Sequence, residues 1–291
     1  MKICLVFLLS GFSFGLFAQT QSEITLENVK FKSVDVVLEG TIFKHKRPVA
    51  ALVLVHGSGK ETRMMELAAH LAKNGITVLT YDKRGVGKSG GVYAGPEVGT
   101  NNVDSANLRL LALDAGAAVN TLRKHLPSKN MPIGLMGFSQ AGWIIPITAA
   151  NYPNTQFMVL FSCPVVGTLE QLRFQFYTAG DAEFWNTHTE AEAREHIRNG
   201  PDRYQFVNTD PREALTKISI PGLWIFGGKD IQIPVHLSIE RLNALKAKAK
   251  PFDYTVFPEQ GHNTALSNSQ EPMLKAIQWI ETMSIRKKKT L

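Results

Sequence analysis

Residues 137–141 have the pattern expected around a serine nucleophile. The segment before them is mostly apolar and is typical of a strand, whereas small and apolar residues typical of a helix follow Ser139. A serine that attacks a carbonyl carbon must stand on a sharp strand-to-helix turn, where the residues two positions away are small. Gly137 and Ala141 meet this requirement, although alanine departs from the usual closing glycine. The pattern predicts acyl transfer through Ser139, but a serine in an ordinary turn could show it too.

A serine hydroxyl needs a histidine base and a carboxylate that orients the histidine. On folds with this kind of turn, the acid and then the histidine follow the serine along the chain. Asp230 follows the apolar segment 222–226, and His262 follows the segment 252–257. The carboxyl ends of parallel strands meet at one edge of a sheet, where ligands bind. The sequence therefore predicts a catalytic triad of Ser139, Asp230 and His262.

One other carboxylate competes for the role of the acid. Asp253 lies inside a predicted strand, so its side chain would point at a face of the sheet and not at the catalytic edge. The remaining histidines fall in loops, on polar helix positions or within 165–220. Only His262 lies in a glycine-bearing loop after the last predicted strand. These positions favour Asp230 and His262.

Taken together, these motifs resemble those of the α/β-hydrolase superfamily. The resemblance is to bacterial esterase-like members related to serine aminopeptidases and acyl-peptide hydrolases, and it runs from about residue 29 to residue 280. It also rests on residues 52–59 and 81–89. It implies an oxyanion hole that is formed by the backbone N–H groups of Ser58 and Gln140.

The resemblance implies a serine hydrolase that cleaves carboxylic esters of small molecules through an acyl-enzyme intermediate, without a cofactor. A serine aminopeptidase or acyl-peptide hydrolase is an alternative. An aminopeptidase would need acidic groups near the pocket, for which Glu170, Asp181 and Glu183 are candidates. A third alternative is a binding module that keeps the fold without activity, although a complete triad argues against it.

Alternating strands and helices must position these residues. Apolar segments predict strands over 29–38, 40–43, 49–56, 76–82, 133–138, 157–163, 222–226 and 252–257. Helical periodicity predicts helices over 64–74, 103–126, 141–152, 235–248 and 270–284. This alternation predicts an α/β protein with a mostly parallel, doubly wound sheet, built from residues 19–164 and 221–285.

The segment 165–220 interrupts the alternation and is predicted to be a helical cap. Helices are expected over 169–177 and 191–199, with Phe184 and Trp185 in loops between them. A surface insertion without a role at the site is an alternative. The aromatic content favours a lid. Its Phe174, Phe184 and Trp185 are expected to line a pocket for short to medium acyl chains, together with Trp143 just beyond Ser139.

The ends of the chain predict export. Residues 1–18 combine an early lysine, an apolar segment and a possible cleavage point, as in a signal peptide, and the segment is short for a stable membrane anchor. We therefore expect a secreted or periplasmic protein, in which Cys163 would be the only cysteine and no intramolecular disulfide could form. The oligomeric state is not predicted.

The formal net charge of +7 does not indicate nucleic-acid binding. Four of the positive charges lie together in a basic tail, 286–291, and no basic patch mixed with aromatic residues occurs elsewhere.

Two further ligand classes are also disfavoured. Residues 85–89 resemble a phosphate-binding loop, but Asp82 stands where that motif needs glycine. We expect Asp82 and Arg84 to brace the turn instead. No histidine or cysteine pair has the spacing of metal ligands.

Overall fold

A computed structural model describes residues 23–95, 102–203 and 205–288. The predicted signal peptide, residues 1–18, lies outside this range. The predicted basic tail lies partly outside it, and residues 286–288 continue the last helix instead of forming a separate tail.

The described strands form one eight-stranded sheet in the order β1-β2-β4-β3-β5-β6-β7-β8. The pairs β1–β2 and β2–β4 are antiparallel, and all other neighbouring strands are parallel. The predicted α/β architecture with a mostly parallel sheet is therefore confirmed. The strands are β1 (Ile24–Ser33), β2 (Val36–His45), β3 (Ala50–Val55), β4 (Ile76–Tyr81), β5 (Ile133–Phe138), β6 (Phe157–Phe161), β7 (Gly222–Gly227) and β8 (Phe252–Phe257).

Helices cover both faces of the sheet, so the central strands are apolar on both sides. One core lies between the sheet and α2, α3 and α8, and the other lies between the sheet and α1 and α9. The helices are α1 (Met65–Lys73), α2 (Ser105–His125), α3 (Ala141–Asn151), α4 (Thr168–Thr178), α5 (Phe184–Thr187), α6 (Glu190–Asn199), α7 (Pro211–Leu215), α8 (Val235–Lys246) and α9 (Glu271–Lys288). Among the described residues, no helix has the length and apolar character of a membrane span.

The first two strands differ from the prediction of strands over 29–38 and 40–43. The chain forms a hairpin whose strands pair from Ile24 with His45 to Ser33 with Val36. Its turn includes Val34, which has a φ of 53°. Valine is an unusual residue at positive φ, so the sequence gives no turn signal there and the two strands look continuous.

The segment 165–220 is helical, and the predicted helices over 169–177 and 191–199 correspond to α4 and α6. Phe184 and Trp185, expected in loops, form the short helix α5. A second short helix, α7, leads toward β7. We call residues 165–220 the cap.

Candidate active site

Ser139 lies on a strained turn between β5 and α3. Its φ is 49°, a left-handed conformation that residues other than glycine rarely adopt. A Cβ atom on Gly137 would lie 2.4 Å from the Cβ of Ala141 and 2.8 Å from a methyl carbon of Ile145. The strand and the helix therefore approach so closely that position 137 must be glycine. This geometry is that of a nucleophile elbow, which presents the serine hydroxyl at the edge of the sheet.

Asp230 and His262 meet at the same edge, in the loops after β7 and β8. His262 Nδ1 lies 2.8 Å from Asp230 Oδ2. The other carboxylate oxygen of Asp230 accepts hydrogen bonds from the backbone N–H groups of Gln232, at 2.7 Å, and Ile233, at 3.0 Å. The Asp230 residue is 1% exposed, so its charge is held by these three partners and not by water. The carboxylate can therefore fix both the tautomer and the orientation of the imidazole ring.

One cavity of about 820 Å³ brings the serine and the histidine together. Both Ser139 and His262 line it, whereas Asp230 lies behind the histidine. A wall of the cavity near the serine contains Phe138 and Phe161, whose rings stack with centroids 5.7 Å apart. Other apolar lining residues are Met64, Met65, Leu67, Ala265 and Leu266. The cavity can thus hold a mostly apolar group next to a hydroxyl and an imidazole.

In the loop after β3, the backbone N–H groups of Gly57 and Gly59 are hydrogen-bonded, whereas that of Ser58, between them, has no acceptor in the described part of the chain. The N–H of Gly57 donates to the Glu61 carboxylate at 3.2 Å, and the Gly59 N–H also stabilises that carboxylate. Among the described residues, the N–H groups of Ser58 and Gln140 have no hydrogen-bond acceptor. Ser58 lines the cavity with Ser139, and Gln140 is the residue after Ser139. These are the two positions predicted for the oxyanion hole.

Lys83 is a buried cation that joins this loop to the turn that contains Ser139 and Gln140. Its Nζ donates to the carbonyl oxygens of Gly57 at 2.7 Å and Gly59 at 3.2 Å, and to Gln140 Oε1 at 3.3 Å. Burial raises the pKa of Glu61, which also lies in this loop, and the charge of Lys83 opposes that effect. Sequence reasoning missed both residues. The signal was a lysine two residues after the end of the buried strand β4, where a charge needs internal partners.

The turn after β4 has the bracing role predicted for Asp82 and Arg84, although the two do not pair with each other. Asp82 accepts hydrogen bonds from Arg63 and from the backbone N–H of Lys88. Burial acts to raise the pKa of Asp82, but these bonds hold it below its ordinary value. Arg84 instead pairs with the buried Asp114.

The four aromatic residues expected to line the pocket do not line this cavity. Phe174 and Phe184 are fully buried and pack edge-to-face inside the cap, with centroids 6.4 Å apart. The Trp143 indole donates to the carbonyl of Val166 at 2.9 Å. The Trp185 indole donates to the carbonyl of Asp230 at 3.0 Å. Phe174 and Phe184 therefore fill the interior of the cap, while the two indoles hold backbone carbonyls. The prediction that these four residues line the pocket is corrected, because none of them lines the cavity that contains Ser139.

Sequence reasoning also missed a hydroxyl pair behind the histidine loop. Ser162 Oγ and Thr264 Oγ1 lie 3.0 Å apart, and the Thr264 N–H donates to the carbonyl of His262. Ser162 has a φ of 46° and lines the cavity. Strained residues of this kind cluster at functional sites. The pair ties the histidine loop to the end of β6, and nothing in the sequence marks it.

The remaining candidate carboxylates lie away from the cavity. Asp253, the competing acid, is exposed and pairs with Lys246. In the cap, Glu170 pairs with Arg241, while Asp181 and Glu183 accept hydrogen bonds within the turn around α5. Within the described ranges, no cluster of three or more histidine, cysteine, aspartate or glutamate side chains is placed to hold a metal ion.

Comparisons with known proteins agree with this fold. Residues 46–188 match the family described as serine aminopeptidase, S33. The sequence is 22% identical over 269 residues to the acylamino-acid-releasing enzyme of Mus musculus, covering 88% of this chain and 35% of that protein. The Rattus norvegicus enzyme is 23% identical over 273 residues, with the same coverage. The chain thus spans about a third of the length of these curated relatives.

Solved structures give the same result. An esterase of Pyrococcus furiosus superposes with a TM-score of 0.63 at 20% identity, covering 89% of this chain and 91% of that one. An acylaminoacyl peptidase of Pyrococcus horikoshii gives a TM-score of 0.64 at 17% identity, covering 94% and 43%. The chain has the α/β-hydrolase fold. Within it, residues 46–188 are similar to the serine aminopeptidase family.

Proposed function

We propose that this protein is a serine hydrolase that cleaves carboxylic esters through a triad of Ser139, His262 and Asp230. The observation that carries the proposal is the 2.8 Å contact of His262 Nδ1 with the buried Asp230 carboxylate, in a cavity that the strained Ser139 also lines. A nucleophile, a base and an orienting acid at one sheet edge are the parts that acyl transfer requires.

In this mechanism, Ser139 Oγ attacks the carbonyl carbon of the ester while His262 Nε2 takes the hydroxyl proton. The negative charge that develops on the carbonyl oxygen is stabilised by the N–H groups of Ser58 and Gln140. His262 then returns the proton to the leaving alkoxide, which leaves an acyl-enzyme on Ser139. A water molecule, activated by His262, attacks the acyl-enzyme, and release of the carboxylic acid restores the hydroxyl. The Asp230 carboxylate stabilises the imidazolium that forms in each step.

Esters of small molecules with short to medium acyl chains are the proposed substrates. The apolar lining of the cavity favours an acyl chain, and the Phe138–Phe161 stack provides a wall close to the nucleophile. Of the carboxylates expected to bind a substrate ammonium, Glu170 is paired with Arg241 of α8, and Asp181 and Glu183 lie outside the cavity. The carboxylate of Glu61 does line the cavity, but the charge of Lys83 balances it. The proposed reaction requires no cofactor.

A peptidase activity is the second candidate, because the relatives found by comparison are named acylamino-acid-releasing enzymes and acylaminoacyl peptidases. The deciding experiment is a panel of p-nitrophenyl esters, aminoacyl anilides and N-acyl-aminoacyl anilides. The ester proposal predicts the highest kcat/KM for the esters. A preference for either anilide would assign the protein to the peptidase class instead.

A binding module without catalysis makes a different prediction. A fluorophosphonate probe should label Ser139 if the triad is competent, and no labelling together with no turnover would favour the module.

Export is a separate proposal, and N-terminal sequencing of the protein purified from its host tests it. Cleavage after residue 18 would support a secreted or periplasmic location, whereas an intact N-terminus would contradict it.

A further inference from the structure

The cap contacts the loop that carries Asp230 through three successive backbone carbonyls. The Trp185 indole N–H donates to the carbonyl of Asp230 at 3.0 Å, and the Thr178 hydroxyl donates to that of Ile231 at 2.7 Å. The Gln171 side-chain amide donates to the carbonyl of Gln232. Each residue of the loop from 230 to 232 is therefore held by a different side chain of the cap.

The three donors come from positions that can act together. Gln171 and Thr178 are seven residues apart in α4, so they lie on one face of the helix, two turns apart. Both are buried, and Trp185 follows in α5. The helix itself is fixed to α8 by the ion pair of Glu170 with Arg241. A rigid surface of the cap thus faces the loop.

The same loop is held from its inner side by Asp230 itself. The Asp230 Oδ1 atom accepts the backbone N–H groups of Gln232 and Ile233, which leaves Oδ2 facing His262. Rotation of the loop would break the contacts on both sides at once. The orientation of the carboxylate therefore depends on side chains that do not line the cavity.

We infer that the cap acts as a clamp on the Asp230 loop, in which Gln171, Thr178 and Trp185 are positioning residues that hold the Asp230 carboxylate against His262. This inference rests on the proposed function. It gives the cap a role other than covering the substrate. Of this loop, Gln232 lines the cavity, so a displaced cap would shift one residue of the wall but would misplace the base directly. The fall in kcat should therefore be larger than the change in KM.

The test is the substitution Thr178→Val, which removes one hydroxyl at nearly constant volume. Thr148→Val is the matched control. Thr148 is also fully buried, and its hydroxyl donates to the backbone carbonyls of Ala112 and Ile144, neither of which belongs to the loop. Thr178→Ser keeps the hydroxyl and should retain the wild-type kcat. Trp185→Phe removes a second donor independently if Thr178→Val does not fold.

The expected result is a fall in kcat of roughly tenfold to a hundredfold in Thr178→Val and Trp185→Phe, because a small misplacement of a catalytic group costs this much. KM should change little, and Thr148→Val should keep the wild-type kcat even where its melting temperature falls equally. In proton NMR, the downfield signal of the His262 Nδ1–H, identified by its loss in Asp230→Asn, should broaden in the clamp variants only.

Wild-type kcat and an unchanged signal in both clamp variants would overturn the clamp. The signal is read without substrate, so it tests the clamp whatever the protein hydrolyses. Failure of the proposed function has a different signature, since the wild type itself would then neither turn over the panel nor react with the fluorophosphonate probe.

Discussion

Lys83 Nζ donates a 2.7 Å hydrogen bond to the carbonyl oxygen of Gly57 and so fixes the loop on one side of the proposed oxyanion hole. The same ammonium group contacts Gln140 on the other side. A hole made of backbone N–H groups stabilises a transition state only if both donors are held in advance at the right positions. One buried cation connects the two loops that provide them.

We therefore expect Lys83→Met to lower kcat by roughly 10- to 100-fold with little change in KM, because the hole is used mainly in the transition state. Arg84→Met is the matched control, since Arg84 is a buried cation in the same turn that pairs with Asp114 instead. Both variants should unfold at lower temperature, but only Lys83→Met should lose kcat. Equal kcat losses in the two variants would show that Lys83 acts through general stability alone.

The pKa of Glu61 predicts how stability changes with pH. Because burial raises this pKa, the folded protein holds the proton more tightly than the unfolded chain does. The free energy of unfolding should therefore decrease as the pH rises from the unfolded value, about 4.3, through the folded value. Glu61→Gln removes the titrating group and should remove this decrease. Denaturant unfolding of the wild type and of Glu61→Gln at several pH values is the measurement. Parallel curves of the free energy of unfolding against pH would contradict the prediction.

Much of the site could be predicted because its chemistry is local in the sequence. Ser139 has small neighbours that only a tight turn requires, and Asp230 and His262 each follow an apolar strand. Since parallel strands end at one edge, the order of the strands was sufficient to place them together. The fold class followed from the same alternation of strands and helices.

The parts that could not be predicted depend on contacts between distant segments. The Ser162–Thr264 hydroxyl pair joins residues 102 positions apart, and neither residue type signals a role. In the cap, the aromatic residues were recognised, but composition cannot show whether Phe174 and Phe184 face a ligand or each other. The turn between β1 and β2 could not be predicted, because valine at position 34 is not a typical turn residue.

Replacement of Ser139, the proposed nucleophile, provides the simplest test of the proposed triad. Ser139→Ala should lose about three or more orders of magnitude in kcat, because the members of a triad act as a unit. Labelling by a fluorophosphonate should disappear, while the circular dichroism spectrum stays the same. A variant that still hydrolyses esters and still takes up the label would place the nucleophile elsewhere.

The identity of the acid is tested by a matched pair of substitutions. Asp230→Asn should lower kcat by roughly three to four orders of magnitude, because the imidazole loses the partner that sets its tautomer and balances its charge. Asp253→Asn makes the same chemical change at an exposed position and should leave kcat unaltered. The opposite ranking of the two variants would exclude Asp230 as the acid. Steady-state kinetics on the best ester of the panel provides the measurement.

Acyl-chain length tests the shape of the cavity. We expect acetyl to hexanoyl esters to have higher kcat/KM than dodecanoyl or longer esters. Each methylene that contacts the apolar lining should add about 0.8 kcal/mol, until the chain meets the wall that Phe138 and Phe161 form near the nucleophile. A continuous rise to sixteen carbons would show an open, lipase-like groove instead.

The residues that set this limit can be identified with two leucine substitutions. Phe138→Leu shortens a side chain that lines the cavity and should shift the preferred esters toward longer acyl chains. Phe174→Leu shortens a ring buried inside the cap and should lower the melting temperature without changing that preference. The ratio of kcat/KM for octanoyl and butanoyl esters is the measurement. A larger shift in Phe174→Leu than in Phe138→Leu would show that the cap sets the limit on acyl-chain length. Only a ring that contacts the acyl chain can restrict its length.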